Sequence, residues 1–122
     1  MQQEASNPVQ DKSYKFALQV VLFTKGMMDR KEFVLSRQLL RSGTSVGANI
    51  EEAIHAQSKK DFVNKLSIAL KEANETRYWL LLIHDSHIYA DPDGKELFLL
   101  TSIKELIALL TAIIKTSRKT MK

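Results

Sequence analysis

Few residues in this chain have chemistry to offer, and their spacing limits what they could do. Glu52-Ala53-Ile54-His55 is an E-x-x-H, which places a carboxylate and an imidazole on one helix face. Di-iron helix bundles need that pattern twice, with further glutamates from the other two helices. The second copy is missing: His84-Asp85-Ser86-His87 is no substitute, and the first helical segment has no glutamate after Glu4. No metal or other cofactor is therefore expected. A lone surface metal contact at His84 is less plausible than a solvated helix face, and His87 reads as a helix-end histidine. The absence of cysteine removes thiolate nucleophiles, thiolate zinc sites and disulfides together. No serine has a histidine and an acidic partner at a fixed station, so no catalytic residues are assigned and an enzyme is not expected. Ser45, Asn49 and Glu52 form a polar row, and with Glu75 they read as a buried or interfacial hydrogen-bond network rather than an acid–base pair.

The stretch RSGTSVGANIEEA, residues 41 to 53, invites comparison with a phosphate-binding loop. A Walker loop needs Lys and Ser/Thr directly after its second glycine and a strand before its first. GTSVGAN has neither. A glycine inside a helix costs about 1 kcal/mol relative to alanine, so Gly43 and Gly47, one turn apart, mark a place where helices pack closely.

The elements that carry these residues are helical. Four glycines and two prolines in 122 residues are too few for a turn-rich β chain. A first helix near 9–29 starts around Pro8 and carries two apolar lines, Tyr14, Leu18, Val21, Met28 and Phe16, Val20, Phe23, Met27. Ser36 can cap a second helix near 37–57, with Leu35 and Leu40 as a hydrophobic staple. That helix reads Leu39, Gly43, Val46, Ile50, Ala53, Gln57. Ser58 and Asp61 form a capping box for a third helix near 59–88, whose line Phe62, Leu66, Ala69, Ala73, Thr76, Leu80, Ile83, His87 is the clearest periodic signal in the chain. ADPDGKE is a strong turn: Asp91 or Asp93 can cap a fourth helix near 94–117, and Pro92 suits its first position. Short links force neighbouring helices to alternate in direction, so the fold is an all-α, up-down-up-down antiparallel four-helix bundle in a single domain, 1–122. Its core should contain Leu39, Val46, Ile50, Leu66, Ala69, Leu80, Ile83, Ile103, Leu110 and Ile114. The N-terminus and the C-terminal tail should fray. The N-terminal residues have no signal-type apolar region, and no apolar run approaches the roughly 20 residues of a membrane span. These features point to a cytoplasmic protein with no membrane partner.

Eighteen Lys and Arg against fourteen Asp and Glu give a net charge of +4. In the deduced bundle both termini share an end with the link between helices two and three. That end carries Lys12, Lys15, Lys59, Lys60, Lys115, Arg118, Lys119 and Lys122 against Glu4, Asp11 and Asp61; the opposite end is mildly acidic. A clustered basic end favours phosphates through counterion release, so these eight residues are the candidate nucleic-acid-binding set. No stacking aromatics interleave with them in sequence, so a sequence-reading site is not expected. A protein–protein scaffold with no nucleic-acid role is the competing reading.

SVGANIEEA, followed by QSKKDFVNKLSIALKEANETRYWLLLI, resembles the four-helix bundle family named after proteins encoded in intervening sequences of bacterial 23S ribosomal RNA. The residues that carry the resemblance are Ser45, Val46, Asn49, Ile50, Glu52, Ser58, Lys59, Lys60, Asp61 and Phe62, with Glu75 on the acidic position of helix three. Ala53 stands where the family usually has glycine. The resemblance covers about Tyr14 to Ile114. It implies a bundle that assembles into a ring, usually a homopentamer. Related accessory variability determinants of diversity-generating retroelements bind nucleic acid and a reverse transcriptase, so RNA or DNA and a nucleic-acid-processing protein are the partners it suggests.

An excess of apolar surface argues independently for a homo-oligomer. Helix one has two apolar lines where one would serve, and helix four carries more leucine and isoleucine than one bundle core takes. These two helices should supply most of the contact between copies, with Ser42 to Ala48 permitting close approach within the bundle or across the interface.

Overall fold

In the computed structural model, which describes residues 7–121, the chain forms four helices: α1 (Pro8–Asp29), α2 (Val34–Ile54), α3 (Lys59–Ser86) and α4 (Lys95–Lys119). No strand is present among the described residues. Each helix packs against its two neighbours in a closed cycle, α1 on α2, α2 on α3, α3 on α4 and α4 on α1, so α1 and α3 stand diagonally opposite. The fold is an all-α antiparallel four-helix bundle.

The helix ends follow local chemistry. Asn7 accepts from the amides of Val9 (3.1 Å) and Gln10 (3.3 Å), and Pro8, which has no amide hydrogen, occupies the first position of α1. Ser58 accepts from the Asp61 amide at 3.0 Å and opens α3. Two starts differ from the sequence reading. α2 begins at Val34, because the Glu32 carboxylate reaches forward to the Leu35 amide at 2.9 Å; Ser36 lies inside the first turn, buried, and its hydroxyl donates to the Phe33 carbonyl. α4 begins at Lys95, preceded by Gly94 at φ +65°, while Asp91 accepts from the Lys95 amide at 2.9 Å. Pro92 therefore sits in the turn rather than in the helix. α2 also ends earlier than its periodicity suggests, at Ile54, leaving Gln57 exposed in the link, and α3 stops at Ser86 with His87 as a left-handed cap at φ 55°.

The core is continuous through all four helices. Leu39, Val46, Ile50, Leu66, Ala69, Leu80, Ile83, Ile103, Leu110 and Ile114 are all buried in it. Of the two apolar lines of α1, the core takes Phe16, Val20, Phe23 and Met27. Of the other, Met28 is half-buried and the rest stays outside: Tyr14, Leu18 and Val21, with Leu22, are exposed large apolar side chains on one helix. α4 is better absorbed. Leu99, Leu100, Ile103, Leu106, Leu110 and Ile114 are buried, and of its large apolar residues Leu97 and Phe98 are exposed. By length and composition α4 could cross a membrane, contrary to the sequence expectation, but its inner line is built into the bundle.

Gly43 and Gly47 lie where α2 meets α1. A Cβ on Gly43 would stand 2.9 Å from Val20 Cγ1, and one on Gly47 would stand 3.3 Å from the Ser13 carbonyl oxygen. This close approach is internal to the bundle. Between α2 and α3, Thr76 Oγ1 lies 2.8 Å from the Glu72 carbonyl and 3.0 Å from Ser42 Oγ, both hydroxyls being fully buried. Each hydroxyl has one hydrogen, so Thr76 donates to the carbonyl and accepts from Ser42.

Candidate nucleic-acid interface

The residues with catalytic potential are placed in structural roles. Ser45 donates to the Arg41 carbonyl (2.6 Å) and Asn49 donates to the Ser45 carbonyl (2.8 Å), so both bond back to their own helix. Glu52 pairs with Lys65 at 3.1 Å. Glu75 pairs with Arg41 and accepts from the Trp79 indole at 2.9 Å, while Arg41 also reaches Glu72 at 3.3 Å. No hydrogen bond joins the side chains of Ser45, Asn49, Glu52 and Glu75 to one another among the described residues, although Asn49 bonds to the Ser45 backbone. The reason is local: hydroxyl and amide side chains within a helix find the carbonyl one turn back before they find each other. His55 pairs with Glu51 across one turn at 3.5 Å. His87 is exposed. His84 is not simply solvated: its Nδ1 is buried 3.6 Å from Glu96 Oε2, also buried, and neither atom has a hydrogen-bond partner among the described residues. Among the described residues no three histidine, aspartate or glutamate side chains gather in a group able to hold a metal ion.

The basic residues divide into two places. Lys12 and Lys15 line a hollow of about 370 Å³ between α1 and α4, floored by Phe16 and Leu106, where Lys12 pairs with Glu105 at 3.5 Å. Lys60 and Arg118 line a second hollow, of about 590 Å³, between the start of α3 and the end of α4. Arg118 continues into a third, of about 260 Å³, together with Lys115 and Lys119. Arg118 lines both the second and the third hollow, so Lys60, Lys115, Arg118 and Lys119 border a cleft in two parts. Lys59 opens α3 and is exposed but lines none of these hollows. Lys122 and Glu4 lie outside the described residues.

Three further residues on this side escape a reading that sorts charges by bundle end. On α3 the positions 60, 64, 67, 71, 74 and 78 follow alternating steps of four and three and so share a face. They read Lys60, Asn64, Ser67, Lys71, Asn74, Tyr78, and Lys60, Asn64 and Ser67 already line the cleft. On α4 the same arithmetic runs from Lys104 through Thr111 and Lys115 to Arg118. Lys71, Lys104 and Tyr78 are all exposed. The sequence carried this signal as helical spacing.

The acidic residues nearby are diverted. Glu72 and Glu75 are held on the α2 side of α3 by Arg41, Glu52 is taken by Lys65, and Glu105 faces Lys12 on the α1 side of α4. Asp61 alone of the carboxylates lines the cleft. Lys60, Lys71, Lys104, Lys115, Arg118 and Lys119 make no ion pair among the described residues.

Fold and surface define a small all-α bundle protein with a basic face. The family model of the 23S rRNA-intervening sequence protein matches residues 5–112, and the chain belongs to that family. It is similar to a protein of unknown function from the S23 ribosomal protein family of Bacteroides thetaiotaomicron VPI-5482. That crystal structure is 50% identical in sequence and has a TM-score of 0.82, covering 88% of this chain and 98% of its own. A comparison with curated proteins gave no match.

Proposed function

We propose that the protein is a non-enzymatic, self-associating cytoplasmic scaffold that holds RNA or DNA through its basic face and presents it to a nucleic-acid-processing protein. The observation that carries the reading is the concentration of Lys60, Lys115, Arg118 and Lys119 around two hollows that share Arg118, while most neighbouring carboxylates are engaged elsewhere. Such a surface exchanges condensed counterions for protein cations and gains affinity for phosphates without reading bases. Self-association is supported by α1, where Tyr14 (65% exposed), Leu18, Val21 and Leu22 (57%) form an uncovered apolar line. Each Å² of that line removed from water contributes about 25 cal/mol, and contiguous exposed apolar surface usually marks an interface. A ring of five is what the family resemblance suggests for the subunit number.

A salt titration of RNA and DNA binding tests the nucleic-acid role. The logarithm of the affinity should fall steeply with the logarithm of salt concentration, and neutralising Lys115, Arg118 and Lys119 to Gln should reduce that slope by about 0.7 to 0.9 for each phosphate that no longer meets a cation. No binding at low salt would remove this reading in favour of a purely protein–protein scaffold, which the apolar line of α1 would still serve.

A further inference from the structure

Resting on the nucleic-acid reading, we infer that the face shared by α3 and α4 is a track for a single strand of nucleic acid, with Tyr78 as a stacking platform for one base. The face combines the two elements such a track needs, cations that follow a backbone and an aromatic ring presented to solvent. Lys60, Lys115 and Arg118 line its hollows, and helical spacing places Lys71 on the stripe of Lys60 and Lys104 on the stripe of Lys115 and Arg118. Lys60 and Tyr78 stand eighteen positions apart on a helix rising about 1.5 Å per residue, so the stripe is roughly 27 Å long. Several phosphates fit along that length.

Tyr78 distinguishes a single strand from a duplex. Tyr78 is 58% exposed on the same line as Lys60 and Lys71, and its ring rests edge-on against Trp79, with centroids 5.1 Å apart and planes at 73°. Trp79 is half-buried and anchored through its indole N–H to Glu75, so the platform has a fixed backing. A base can lie on an exposed aromatic face only when it is not stacked between its own neighbours, as it is inside a duplex. Every base has a π-face, so this contact selects strandedness rather than sequence. The side chains between the lysines add little readout: Ser67 and Asn74 already donate to the carbonyls of Val63 and Leu70 on their own helix.

Trp79 is the sole tryptophan of the chain and touches the platform, so it reports occupancy directly. The experiment titrates the intact protein with a single-stranded oligouridylate and, separately, with a duplex of equal length, following Trp79 fluorescence and salt dependence. The single strand should change the fluorescence and bind more tightly than the duplex. Tyr78→Leu should weaken the single strand by roughly 5- to 150-fold, the range expected for removing one stacked base, and Tyr78→Phe should keep it. Lys71→Gln and Lys104→Gln should each lower the single-strand salt slope by about 0.7. Circular dichroism of each variant reports whether the helices are retained. Binding that is equal for both probes and indifferent to Tyr78→Leu would overturn the track while leaving the proposed function standing; binding of neither probe at low salt would overturn both.

Discussion

Replacing Gly43 with alanine sets two effects of similar size against each other, and the structure decides which wins. In the middle of α2, alanine is favoured over glycine by about 1 kcal/mol of helix propensity. The new methyl, however, would stand 2.9 Å from Cγ1 and 3.0 Å from Cγ2 of Val20, a fully buried side chain. Valine is stiff at χ1 and both its methyls face the glycine, so rotation moves one out of the way only by moving the other in. Overpacking of this kind costs roughly 1–3 kcal/mol, so Gly43→Ala should destabilise by about 1 kcal/mol net, near 4 °C in melting temperature for a chain of this size. Val20→Ala removes the obstructing methyls. In that background the same substitution should become stabilising by about 1 kcal/mol, a coupling of roughly 2 kcal/mol between two residues on different helices. Urea unfolding at fixed protein concentration measures all four corners of the cycle, with the m-value as a check that the unfolded states are alike. A Gly43→Ala protein that is more stable than the parent, or a penalty of the same size in both backgrounds, would refute the claim that this glycine exists for helix contact.

Two other expectations follow from buried and exposed surface. Leu18→Lys with Leu22→Lys should lower the mass measured by light scattering toward 13.9 kDa while leaving the helical circular dichroism unchanged, since both side chains lie outside the core; an unchanged larger mass would place the interface elsewhere. Thr76→Val should cost about 1–3 kcal/mol in urea unfolding by stranding the buried Ser42 hydroxyl, and adding Ser42→Ala should recover part of that cost, whereas strictly additive effects would show that the pair does not interact.

The periodic parts of the chain were readable because burial at steps of three and four leaves a direct trace. Leu66, Ala69, Ala73, Thr76, Leu80 and Ile83 mark the inner face of α3 in the sequence as they do in the structure. Helix starts were readable where the capping side chain sits at the cap, as Ser58 does, and not where it reaches from outside: Glu32 acts across three residues and moves the start of α2 ahead of Ser36. α1 shows the limit of periodicity, since its two apolar lines are equivalent in sequence and only the fit of Val20 against Gly43 shows which one faces inward. Charge was harder to read. Counting lysines by bundle end placed Lys12 with Arg118, but the pairing of Lys12 with Glu105 depends on α1 lying beside α4, a contact between distant parts of the chain. Lys71, Lys104 and Tyr78 were missed because they lie along the helices rather than at their ends.

The diagonal placement of α1 and α3 has a consequence for avidity. A copy that docks through the apolar line of α1 leaves α3, the helix diagonal to it, facing outward, so its own α3 stripe stays open to a strand in the assembly. Each added copy would then raise the effective concentration of track around a strand already held by its neighbour. An oligonucleotide short enough to sit on one subunit would gain nothing from this, while a strand long enough to reach the next would be bound far more tightly than its extra phosphates alone explain. The protein would thereby measure the length of its ligand without reading a base.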